Sequence, residues 1–162
     1  MEIDPAELYR LRYQEGLPRL RVPFFAGRVA AGFPSPADDY IEMQLDLNDL
    51  CIQHPNATFF ARATGLSMIN AGILPGDVLV IDRAVEPQDG SIVVALLDGG
   101  FTVKRYSNKP GQPLMLVAEN EDYPPIVINE YMGFEVWGVV VSTVRVMSKK
   151  SALTHHIARH LR

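Results

Sequence analysis

The sequence predicts a mostly β protein: a compact antiparallel β domain preceded by a short helix and a flexible N-terminal arm. Three observations carry that expectation. From about Thr58 onward, short runs rich in β-branched and aromatic residues recur. Nearly all are separated by turn signals such as Pro75-Gly76-Asp77, Asp89-Gly90 and Asp98-Gly99-Gly100. The 162 residues, 48% of them hydrophobic, suffice for one core and not for two large ones.

In chain order, the first element reads as a short helix. Asp4 can cap, Pro5 suits the first helical position, Glu7 follows the cap by three, and Leu8 and Leu11 share a face; the helix ends by Gly16. Leu17 to Tyr40 contains Pro18, Pro23, Pro34 and Pro36 with Gly27 and Gly32, which argues for an arm or linker over most of its length. Strands are expected at Phe59–Ala63, Val78–Asp82, Ser91–Leu97, Phe101–Tyr106, Leu114–Val117, Ile126–Ile128 and Val136–Met147, with Asp98-Gly99-Gly100 joining two of them as a hairpin. From Ser148 the chain is polar and basic, with Leu153, Ile157 and Leu161 at four-residue spacing, as in a terminal amphipathic helix. The resulting division is an arm (1–31), a β domain (32–147) and a basic tail (148–162).

Composition excludes several classes of function. A single cysteine, Cys51, permits no disulfide within the chain and no thiolate zinc cluster, so a cytoplasmic protein is expected; Cys51 itself reads as a small buried apolar side chain. No apolar run approaches the roughly 20 residues of a membrane helix, and Met1 to Pro5 show no signal pattern, so neither membrane anchoring nor export is expected. The net charge of −4 conceals a division: residues 1–31 carry +1, residues 32–135 carry −10, and residues 136–162 carry +5. A −10 body repels phosphate backbones, so no direct duplex DNA binding by the body is expected, and residues 1–31 are too short for a helix-turn-helix domain. His155, His156 and His160 read as part of a solvated basic helix, with no metal and no cofactor expected. Trp137 and Phe134 read as core or dimer contacts.

Two residues stand out for their chemistry. Ser67, in Thr64-Gly65-Leu66-Ser67-Met68, lies between a strand and a polar turn, a place that can present a hydroxyl together with backbone N–H groups. Serine after glycine in a turn is more commonly a local hydrogen-bonding residue. Lys104, in Phe101-Thr102-Val103-Lys104, shares a strand face with Thr102, opposite Phe101 and Val103. A strand lysine usually points at water. One dried by neighbours is pushed towards its neutral form and can act as general base to a serine hydroxyl. Moving it from about 10.4 to near 7 costs roughly 4 to 5 kcal/mol, so such a site must be tightly packed.

From about Phe24 to Met147 the chain resembles the LexA-like Ser-Lys self-cleaving peptidases, and within them the UmuD-like proteins. The resemblance rests on Ala31-Gly32 followed by Phe33-Pro34-Ser35-Pro36 and Asp38-Asp39-Tyr40, on Gly65-Leu66-Ser67-Met68, on Gly76-Asp77-Val78-Leu79, on Phe101-Thr102-Val103-Lys104, and on the 37-residue interval between Ser67 and Lys104. It implies Ser67 as nucleophile, Lys104 as neutral general base, the backbone N–H groups of Leu66 and Ser67 as oxyanion hole, and Ala31-Gly32 as the scissile bond. Small residues alone do not choose that bond, since Ala26-Gly27 and Ala71-Gly72 are also present; distance to Ser67 and the Phe33-Pro34 context select it. Where UmuD-like proteins have cysteine before the cut and aspartate before the serine, this chain has Ala31 and Leu66, as LexA-like repressors have alanine and an apolar residue.

The resemblance further implies a homodimer that cleaves itself when a RecA filament on single-stranded DNA stabilises the reactive arrangement. The trimmed dimer then serves a UmuC-like Y-family polymerase in error-prone lesion bypass, as part of the SOS response. Three alternatives stand beside it: a non-cleaving polymerase accessory subunit, a truncated LexA-like phage repressor, and a signal-peptidase-like enzyme. The last is disfavoured by the lack of a membrane segment, and the repressor by the shortness of residues 1–31. Between Ala31 and Ser67 a flexible segment spans on the order of 30 Å, enough for cleavage within one chain or between two.

Overall fold

The computed structural model describes residues 2–3, 9–10, 20–25 and 41–147. Eleven strands and one α-helix lie among the described residues, in the order β1 (Glu2–Ile3), β2 (Tyr9–Arg10), β3 (Val22–Phe25), β4 (Ile41–Leu45), α1 (Leu47–Cys51), β5 (Thr58–Arg62), β6 (Val78–Asp82), β7 (Ile92–Leu97), β8 (Gly100–Ser107), β9 (Met115–Val117), β10 (Ile126–Val127) and β11 (Phe134–Val144). The mostly β expectation holds, and β5 to β11 are the seven strands read from the sequence.

Nine strands form one sheet in the order β10-β9-β8-β7-β11-β6-β5-β2, with β1 added to β8; β3 and β4 form a separate two-stranded sheet. Every pairing is antiparallel. The hairpin between β7 and β8 turns on Asp98 (φ +49) and Gly99 (φ +86), two positive angles that define a type I′ turn whose twist matches the strands it joins. The chain-distant β11 runs between β6 and β7, so the middle of the sheet is closed by residues 57 to 66 positions apart from their β6 partners. One edge of β8 is occupied by β7. The other is shared, with β1 opposite Phe101–Thr102 and β9 opposite Arg105–Ser107.

Both faces of the sheet are covered. Ala61, Ala63, Met68, Ile73, Leu79, Ile81, Val94 and Val103 form one buried cluster, against which Phe101, Trp137 and Val140 pack. Val93, Ala95, Leu116 and Val139 form the second, with Tyr106, Phe134 and Val136 packed on it. Adjacent Val93, Val94 and Ala95 are all fully buried. That is why β7 reads as a continuous apolar run and lacks the alternation of a half-exposed strand. Trp137 is thus a core residue, edge-on to Phe59 and Phe101, with the Arg83 guanidinium 4.9 Å from its ring centre.

Two expectations are corrected, for the N-terminal helix and for Cys51. Tyr9–Arg10, inside the expected N-terminal helix, is extended and pairs with Phe60 and Phe59 on β5; the rest of that helix lies outside the described residues. A short helix alone in water is marginal, whereas a strand added to a sheet edge gains ladder hydrogen bonds at once. The proline-rich segment contains β3, which pairs with β4 and accommodates Pro23 because a two-stranded ribbon leaves one edge of each strand open. Cys51 is half-buried on α1, a helix capped by the Asp46 carboxylate on the Asn48 N–H that buries none of its residues. The tail beyond Met147, with Leu153, Ile157, Leu161 and the three histidines, lies outside the described residues.

Candidate active site

The chain leaves β5 through Ala63, whose N–H and carbonyl continue the pairing with Asp77 and Gly76. It then turns at Gly65 (φ +74) into Leu66-Ser67-Met68 and a single 3₁₀ turn at Ile69–Ala71. Only glycine adopts that angle freely, so Gly65 lets the chain reverse where Ser67 must point back at the sheet. Gly72 (φ +79) closes the 3₁₀ turn, its N–H donating to the Ile69 carbonyl. Met68, fully buried in the first core cluster, anchors this loop from below.

Lys104 comes from the middle of β8. Its register partner is Val93, a member of the second cluster, while Val103 pairs with Val94 and Phe101 packs on the first. The expected alternation is therefore observed. The lysine side chain is 5% exposed and Ser67 fully buried. Lys104 Nζ lies 2.9 Å from Ser67 Oγ, 3.1 Å from Thr102 Oγ1 and 3.2 Å from the Val103 carbonyl oxygen. Two residues 37 positions apart, each with an ordinary reading of its own, are brought into hydrogen-bond contact in a dry setting.

The serine turn is held from three sides. Asn120 Nδ2 donates to the Leu66 carbonyl at 3.1 Å, and Asn70 N–H donates to the Glu119 carbonyl at 2.9 Å. Arg145, just past β11, grips the far end of the loop: its Nε donates to Asp77 Oδ1 at 2.6 Å, its Nη2 bonds Asp77 Oδ2, and the same Nη2 donates to the Gly72 carbonyl at 2.7 Å. Asp77 Oδ2 also accepts the Leu74 N–H at 2.8 Å. The hydrogen bonds from Arg145 hold the Asp77 carboxyl below its ordinary value, against the opposing effect of burial, with the Leu74 N–H and the guanidinium charge adding to the downward shift. Arg145 is correspondingly pushed up.

Of the expected site residues, Ser67 and Lys104 meet, and Leu66 stands beside them with its side chain half-exposed. Ala31 and Gly32 lie outside the described residues. Sequence reasoning put Thr102 on the right face but gave it no task, although a hydroxyl two residues before a strand lysine is within reach of its amine. Asn120, Glu119 and Arg145 were missed, because contacts across 54 or 68 positions leave no local signature.

The chain matches the family model described as Peptidase S24-like over residues 23–141. It is similar to Protein ImpA of Escherichia coli, 54% identical over 101 residues that make up 62% of this chain and 70% of that protein. It is similar also to Protein MucA of Escherichia coli, 44% identical over 124 residues, 76% of this chain and 84% of the relative. A LexA repressor from Psychromonas ingrahamii is 37% identical over 134 residues, 82% of this chain and 60% of that repressor.

Proposed function

The chain belongs to the Peptidase S24-like family, and from that premise we propose that it is a UmuD-like SOS mutagenesis protein, a serine endopeptidase that cuts itself once, between Ala31 and Gly32. The observation that carries the reading is the buried 2.9 Å contact between Lys104 Nζ and Ser67 Oγ. A neutral amine has two N–H donors and one lone pair. With Thr102 Oγ1 and the Val103 carbonyl accepting the donors, the lone pair faces the serine hydroxyl, the arrangement a general base requires.

The chemistry follows in two acyl transfers. Neutral Lys104 takes the Ser67 proton as Oγ attacks the Ala31 carbonyl carbon, and the backbone N–H groups of Leu66 and Ser67 receive the developing oxyanion. Lys104 returns its proton to the Gly32 nitrogen, the C–N bond breaks, and Ala31 remains as an ester on Ser67. Water, deprotonated by the same lysine, attacks the ester, frees Ser67 and releases residues 1–31 with a carboxylate at Ala31. Residues 32–162 form the processed body.

The biological setting comes from the family: a cytoplasmic homodimer, cleavage stimulated by a RecA filament on single-stranded DNA, and service of the trimmed dimer to a UmuC-like Y-family polymerase. A body carrying −10 suits a protein that acts on DNA through other proteins. Incubation at about pH 10, close to the ordinary lysine value of about 10.4, favours the neutral amine without RecA. Wild type is expected to yield a fragment beginning at Gly32. Ser67→Ala and Lys104→Ala are each expected to slow its formation by on the order of 10⁴-fold. Mass spectrometry identifies the cut, and cleavage that survives Ser67→Ala overturns the reading.

A further inference from the structure

The self-cleavage reading needs Ser67 and Lys104 to stay aligned although one sits on a turn and the other on a strand. A misplacement of about 1 Å costs on the order of a hundredfold in rate. Inside the turn the bond nearest the serine, from Ile69 N–H to the Leu66 carbonyl, is long, at 3.4 Å, while those further along, from Ala71 to Met68 and Gly72 to Ile69, are 3.1 and 2.9 Å. Bonds on both sides of the serine come from the segment after β9. Asn120 Nδ2 donates to the carbonyl of the residue before Ser67, and the Glu119 carbonyl accepts from Asn70, three residues after it. The Glu119 carboxylate in turn pairs with Nε of Arg105, the residue that follows Lys104 on β8, and Arg105 Nη1 donates to the Gly90 carbonyl at 2.6 Å.

Resting on that reading, we infer that Glu119 and Asn120 form a positioning latch, which ties both sides of the Ser67 turn to the strand that carries Lys104. Neither residue touches the reacting atoms, and their effect is on alignment. Asn120 is oriented for the task. Its Oδ1 accepts the Asp122 N–H at 3.1 Å, which turns the amide nitrogen towards Leu66. Aspartate at this position keeps the acceptor for Asp122 and sets a carboxylate oxygen against the Leu66 carbonyl.

The test compares the full-length wild type with Asn120→Asp, Asn120→Ala and, as a control outside the latch, Glu121→Gln. Self-cleavage is followed from about pH 8 to about pH 11, alongside the thermal midpoint and the rate at which a fluorophosphonate labels Ser67. Both Asn120 variants are expected to lower the high-pH plateau about 10- to 100-fold and to slow labelling in parallel, while the midpoint of the pH profile and the melting temperature stay at wild-type values. Wild-type plateau rates in both variants overturn the latch. So does a loss of rate matched by loss of folded protein, which is the mark of a merely structural role. A wild type that cleaves at no pH overturns the self-cleavage reading and the latch with it, so the two failures are told apart by the wild-type arm.

Discussion

Asp77 shows at the scale of one residue how the serine loop is braced. Its carboxylate is almost fully buried and accepts bonds from Arg145 and Leu74. Because its folded-state value is held below the ordinary 3.8, the native state binds fewer protons than the unfolded chain in that region. The stability this supplies is complete above about pH 4 to 5 and is lost as pH falls through the lowered folded value. Arg145→Gln removes the main cause of the shift and leaves burial to act in the opposite sense. We expect a lower melting temperature than wild type at neutral pH, with the gap between the two closing as pH falls through the lowered folded value; a gap that persists unchanged into acid contradicts the assignment. Ser67 and Lys104 stood out in the sequence as residue types, and it was the resemblance to the LexA-like peptidases that set them together. Arg145 did not stand out, since nothing near it in sequence announces a partner 68 positions back.

β11 shows what an element can and cannot disclose. Its eleven residues pair with β7 and then β6, with register shifts between Val136 and Gly138 and again between Val140 and Ser142. At Gly138 a Cβ would stand 2.7 Å from Ile81 Cγ2, a fully buried branch methyl, and 3.3 Å from the Asp82 carbonyl. Gly138→Ala is therefore expected to cost about 1 to 3 kcal/mol in denaturant unfolding, and Ile81→Ala in the same chain to cost less than its own effect added to that of Gly138→Ala. The strands from residue 58 onward were readable because each is a short apolar run between turn residues, and Asp98-Gly99-Gly100 marked the β7–β8 hairpin, although Gly100 itself already pairs with Leu97. β3, β4 and α1 were not. Proline density masked the first, β4 needs a partner far back in the chain, and α1 has too few residues to show a helical period.

For the molecule as a whole, charge separates what it touches directly from what it reaches through others. With −10 on residues 32–135, the full chain is expected to leave a labelled duplex unshifted in gel retardation at about 150 mM salt, and the removal of residues 148–162 to change nothing. A shift that the removal abolishes would give the tail, whose residues 148–162 carry +4, a nucleic-acid role instead. A cut after Ala31 alters the net charge only from −4 to −5, so its effect must lie in shape. Under the proposed cut, β1, β2 and β3 would all belong to the severed piece: β1 caps β8 at Phe101–Thr102, β2 caps β5 at Phe59–Phe60, and β3 pairs with β4. The four residues of β1 and β2 thus close two rims of the large sheet, and the proposed hydrolysis of one bond would reduce the hold of all three strands to that of a detachable peptide. Dilution would then strip all three together and open vacant backbone ladders on β8, β5 and β4 of a single molecule: a ratchet that proteolysis would set and no reverse reaction would reset.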